Sequence, residues 1–95
     1  MRRVELASEA AIDIQDLTWR SLERFGERQT TEYVDGLKRA IALLASLPEM
    51  APITLDLSGA RRHVHRSHAI YYDADPGQLT VLRILHVRQD PKRHL

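Results

Sequence analysis

Ninety-five residues, 43% hydrophobic and 28% charged, suit a single domain over 1–95 with one core, and are too apolar for a disordered tail. The absence of cysteine argues against a disulfide framework or a thiolate metal site, and no apolar run approaches the roughly 18 residues of a membrane span, so a cytoplasmic protein is expected. Net charge is only +1, but carboxylates outnumber cations in the first half, while the second half is basic and holds all 5 histidines.

The weak alternation from Arg3 to Ala7 predicts a short strand, and Ser8 is placed to cap a helix that begins near Glu9. Ala10, Ile14, Leu17, Ser21, Leu22 and Phe25 recur at three- and four-residue spacing and form one apolar stripe, with Gly26 where a helix end wants positive φ. A second amphipathic segment, over 28–47, puts Tyr33, Leu37, Ala40, Ile41, Leu44 and Leu47 on one face, and Pro48 stops it. So short a link makes the two helices an antiparallel hairpin. Pro48 to Ala60 reads as a connection in which Ile53, Leu55 and Leu57 pack down in extended form. Arg61–Arg66, Ala69–Asp73 and Leu79–Arg88 read as strands, the last two joined by the turn Ala74-Asp75-Pro76-Gly77. The predicted fold class is α+β: an N-terminal strand, an αα-hairpin, and a three-stranded antiparallel meander with the helices on one sheet face.

The last strand is apolar on both sides, with Leu79, Val81, Leu85 and Val87 on one face and Leu82 and Ile84 on the other, which predicts a central position. Arg83 on the first face, and His86 and Arg88 on the second, are then costly unless paired or reaching solvent. Arg83 calls for a carboxylate inside the fold or at an interface.

Several ordered features resemble one family. They are Ser8-Glu9-Ala10-Ala11 with Asp13-Ile14 and Leu17, Phe25-Gly26, the stripe from Tyr33 to Leu47-Pro48, Gly59-Ala60-Arg61, His68-Ala69-Ile70-Tyr71-Tyr72-Asp73, and the closing Val81-Leu82-Arg83-Ile84-Leu85-His86-Val87-Arg88-Gln89-Asp90. Together they resemble the ParE branch of the RelE/ParE toxin superfamily almost end to end, and the closing segment with Arg61, Tyr72, Arg83 and His86 is the most specific part. The resemblance implies a toxin neutralised by a ParD-like antitoxin in a hetero-oligomer, the antitoxin covering apolar surface such as Val34, Leu43 and Trp19. It also implies two activities to choose between, since RelE-type relatives are ribosome-dependent ribonucleases whereas several ParE proteins act on DNA gyrase without being nucleases.

A ribonuclease needs a base, an acid and cations about the phosphate. Arg61, Arg83 and Arg88 offer charge and His86 or His94 proton transfer. The segment Lys92-Arg93-His94-Leu95, however, carries no aromatic where RelE-type nucleases place a functional tyrosine, and of Tyr71 and Tyr72 one is expected in the core. The expected protein is therefore not an enzyme. Arg61, Arg66, Arg88 and Arg93 are assigned to target recognition, with gyrase as the target, and sequence-specific nucleic-acid binding, membrane contact and cofactors are not expected. Trp19, off the main stripe, is either peripheral core or an exposed anchor. His63 and His65 share a side of their strand as half of a possible zinc site, but no third ligand is evident, and a solvated face is expected instead. A ribonuclease toxin and a non-toxic binding module are the competing readings.

Overall fold

The computed structural model describes residues 2–57 and 59–89. In chain order it contains β1 (Arg3–Leu6), the helical segment α1 (Ser8–Ser46), a 3-10 turn at Pro48–Met50, and strands β2 (Arg61–His65), β3 (His68–Ala74) and β4 (Gln78–His86). The helical segment is broken at Gly26, whose φ of 82° and ψ of 179° fall where only glycine sits without strain. The Thr30 hydroxyl donates to Ser21 Oγ at 2.7 Å. On an unbroken helix those residues would be about 13 Å apart along the axis. The chain therefore doubles back, and the two arms form the expected hairpin.

The helix start differs from expectation. Ala7 is the N-cap, and the Ser8 hydroxyl donates to the Glu9 carboxylate at 2.8 Å rather than capping the backbone. The reason lies in the sheet: the Ala7 N–H is held by the Val81 carbonyl at 2.9 Å while the Ala7 carbonyl already accepts from Ala11. Strand pairing thus fixes the residue at which the helix begins.

The sheet order is β1-β4-β3-β2. β2, β3 and β4 form the antiparallel meander, whereas β1 lies parallel to β4, which makes the sheet mixed and puts β4 in its interior as predicted. β4 ends at His86, short of Arg88. Its faces also differ from simple alternation. Tyr71 is opposite Arg83 and Tyr72 opposite Val81, so Leu82 is an inserted residue, a β-bulge that resets the two-residue period. Leu79, Val81 and Ile84 consequently face the helices, joining Ala10, Leu17, Leu37, Ile41, Leu44, Ile70 and Tyr72 in the main core. Leu82 and Leu85 share the opposite face with Leu57, Ala60, Ala69 and Tyr71 in a smaller core.

Of the apolar residues in the connection, Leu57 is buried, while Ile53 and Leu55 are exposed. Ile53 makes a single backbone bridge to Arg61. Phe25 and Leu47, at the last turns of their arms, are exposed rather than part of the stripes. Among the described residues no helix is long and apolar enough to cross a membrane.

Candidate functional site: a basic cleft beside the open edge of β4

β1 accompanies β4 only as far as the pair Leu6 and Val81. Beyond that point a side chain from the first helical arm takes over the strand edge. The Asp13 carboxylate accepts from the Ile84 N–H at 2.9 Å and from Arg83 Nε and Nη2 at 2.8 and 2.9 Å. Both side chains are nearly buried, 10% exposed for Asp13 and 12% for Arg83, and the hydrogen-bonded carboxylate holds the guanidinium above its ordinary pKa. Arg83 thus has the internal carboxylate that its position required.

Next to this pair, three rings meet. The Tyr33 hydroxyl lies 2.6 Å from His68 Nδ1, a hydrogen bond whose direction is set by the His68 tautomer, and 3.5 Å from the His65 carbonyl. His68 stands edge-on to Tyr33 and to His86, with ring centroids 5.5 and 5.6 Å apart. His86 is fixed by its own turn, its backbone N–H donating to Gln89 Oε1 and its Nδ1 accepting from the Arg88 N–H at 3.1 Å. That acceptor role assigns the proton of the neutral ring to Nε2. Burial lowers the His68 pKa, and the nearby His86 and His65 push the same way against Asp13. Burial also lowers that of His65, reinforced by Arg66, His63 and Arg39, and raises that of Tyr33.

Asp13, Tyr33, His68, Arg83 and His86 line a cleft of roughly 870 Å³ between the two helical arms, the β2–β3 turn and the end of β4, which also takes in Arg20, Arg24, Arg66 and Arg88. Asp16 is a further carboxylate in its wall. Arg66 occupies the two-residue turn with a φ of 54°, a left-handed conformation for which glycine or asparagine is the unstrained choice. A smaller depression of roughly 530 Å³, bordered by Arg39 and His65, continues past Phe25, Gln29, Tyr33 and Arg66, which line both.

The cleft therefore gathers Arg66, Arg83, His86 and Arg88 from the residues singled out in the sequence. Arg61 is elsewhere: its Nη1 donates to the Ala51 carbonyl at 2.7 Å and ties the connection to β2. Trp19 is 62% exposed, an outward-facing residue that does not line the cleft. Arg93 and His94 lie outside the described residues. Tyr71 and Tyr72 are both buried, one in each core, with the Tyr72 hydroxyl donating to the Pro48 carbonyl at 2.6 Å and the Tyr71 hydroxyl accepting from Arg62 Nε at 3.2 Å. His65 Nε2 is buried without a hydrogen-bond partner against Gly36, and among the described residues no three histidines or carboxylates converge as metal ligands. Tyr33, His68, Arg20 and Arg24 were not singled out. Tyr33 carries the spacing of a core stripe, and the two arginines join the site only because the hairpin folds back on the sheet.

Chemically, the cleft is lined by more guanidinium groups than carboxylates, with one hydrogen-bonded tyrosine–histidine pair in its wall. A family model described as the ParE toxin of the type II toxin–antitoxin system, parDE, matches residues 4–91. Toxin ParE1 of Caulobacter vibrioides is 28% identical over the whole chain and 99% of its own length. Among solved structures, a chain of the chromosomal ParDE TA system from P. aeruginosa superposes with a TM-score of 0.79 at 16% identity, covering 93% of this chain and 98% of that one. A YafQ mutant from E. coli gives 0.60 at 17% identity, covering 92% and 94%.

Proposed function

Since the chain belongs to the ParE toxin family of type II toxin–antitoxin systems, we propose that it arrests growth by binding DNA gyrase in the cytoplasm and is neutralised by a ParD-like antitoxin in a hetero-oligomer. The observation that carries this reading is the family match over almost the whole chain. Exposed apolar side chains support the antitoxin half of it. Val4 and Leu6 are register partners of Leu79 and Val81, so they lie on the helix-covered face of the sheet, yet they remain exposed, as do Ile12, Trp19, Leu43 and Leu47. Val34 instead packs on the core. Apolar surface left open in this way on a small domain marks an interface.

The target half rests on the basic cleft, where Arg66 and Arg88 are exposed and available for recognition, while Arg83 and Arg61 serve the fold. The test is purified gyrase with supercoiled plasmid and ATP. Linear DNA or lost supercoiling is expected with the wild type and much less with Arg88→Ala, because a desolvated interfacial charge contributes about 2 to 5 kcal/mol. No effect on gyrase from a protein that still arrests growth and is rescued by its antitoxin overturns the target.

A ribonuclease reading draws on one observation, the Tyr33–His68 pair inside an arginine-lined cleft. It requires new RNA 5′ ends on translating ribosomes that disappear with Tyr33→Phe.

A further inference from the structure

We propose that the two depressions flanking Tyr33 and Arg66 form one continuous groove that binds the sugar–phosphate backbone of single-stranded nucleic acid, with Phe25 as a stacking platform for a base. The groove includes Arg66 and Arg88, which the gyrase reading also uses, but oligonucleotide binding is measured on the chain alone, so the two readings fail separately, and no sequence specificity is required.

Three observations carry it. First, Arg20, Arg24, Arg66 and Arg88 line the larger lobe, and among the described residues none of them forms an ion pair with a carboxylate, in contrast to Arg83 on Asp13. Charges left in this way on a concave wall attract a polyanion. Second, the turn between β2 and β3 places an arginine, Arg66, in a left-handed conformation, and Arg66 is one of the residues shared by both lobes. Third, Phe25 is also shared by the two lobes, is more than half exposed, and has the Arg24 guanidinium 5.7 Å from its ring centroid. Arginines tracking a backbone around an exposed aromatic are the combination by which single strands are held. The exposed ring among the charges offers a nucleobase a face to stack on, which favours a single strand over an acidic protein segment.

The experiment is fluorescence anisotropy of the purified chain with a labelled 12-mer of oligothymidylate, an oligouridylate of the same length, and poly-glutamate of matched charge. Both oligonucleotides are expected to bind. With four arginine contacts, affinity should fall about 50-fold between roughly 50 and 200 mM salt, and Arg24→Ala or Arg88→Ala should reduce the logarithmic salt slope by about 0.7 each. Phe25→Ala should weaken binding about tenfold and leave the slope unchanged. Phe25→Leu, which keeps an apolar side chain of similar bulk, serves if the alanine variant does not melt cooperatively. Absence of oligonucleotide binding at low salt overturns the proposal. So does equal or tighter binding of poly-glutamate, and so does affinity that ignores the loss of the ring.

Discussion

Tyr33 and His68 meet at 2.6 Å, joining the second helical arm to the first residue of β3. Because burial lowers the pKa of His68, and of His65 beside it, the folded protein favours both rings neutral. The unfolded chain takes up its protons near the ordinary value of 6.5. The unfolded state therefore binds more protons below that pH, so stability is complete above it and declines as pH falls through it toward the folded pKa values. Urea midpoints should drop between about pH 7.5 and pH 5.5, the interval in which histidine charges. His68→Gln should flatten that dependence. A midpoint that does not move with pH contradicts the assignment.

Removal of the Asp13 carboxylate leaves the Arg83 charge in place at a nearly buried site and deprives the Ile84 N–H of its acceptor. Asp13→Ala should cost about 3 to 5 kcal/mol in denaturant titration. Replacing both partners with apolar residues, Asp13→Leu with Arg83→Met, should recover the part of that loss due to the unpaired charge, while the Ile84 N–H still lacks its acceptor. Additive losses in the double variant would show that the two residues are not coupled.

Gly26 and Gly36 should respond to alanine for different reasons. At Gly26 a Cβ would touch nothing within 4 Å, so the cost of Gly26→Ala is one of backbone conformation alone, about 1 to 3 kcal/mol. At Gly36, in regular helix, alanine would ordinarily add about 1 kcal/mol of stability. There its Cβ would come 3.1 Å from His65 Nε2, and that gain should be lost. Thermal melting of the two variants measures both effects.

Tyr72→Phe should leave the Pro48 carbonyl without its donor inside the main core, a loss of about 1 to 3 kcal/mol. Tyr71→Phe removes only an acceptor from Arg62, a side chain that reaches solvent, and should cost less. Equal losses in calorimetry would contradict this difference.

The hairpin could be read from the sequence because its determinants are local: two three-four stripes, a glycine between them and a proline after them. The central position of β4 was equally legible from its two apolar faces. The bulge at Leu82 was not, since an inserted residue shows only where the partner strand is known, and it exchanged the faces of Ile84 and Leu85. The capping role of Ser8 failed because the β1–β4 ladder competes with local capping chemistry. At the site, the demand of Arg83 for a carboxylate was evident, but Asp13, 70 residues away, could be identified only once the helix lay against the strand. Arg61 looks from its charge like a recognition residue, and only its bond to Ala51 shows that it holds the connection.

The parallel pairing of β1 with β4 joins Arg3 to Gln78 and Leu6 to Val81, segments from opposite ends of the described chain. Among the described strands β1 pairs only with β4, whereas the two helical arms, joined by the Thr30–Ser21 contact, are neighbours in sequence. Sheet and cleft are both incomplete until β4 has been made, since β4 supplies the interior strand and Arg83. Such long-range closure is slow compared with local helix formation. The sheet and the cleft are therefore completed together, when β4 takes its place between β1 and β3.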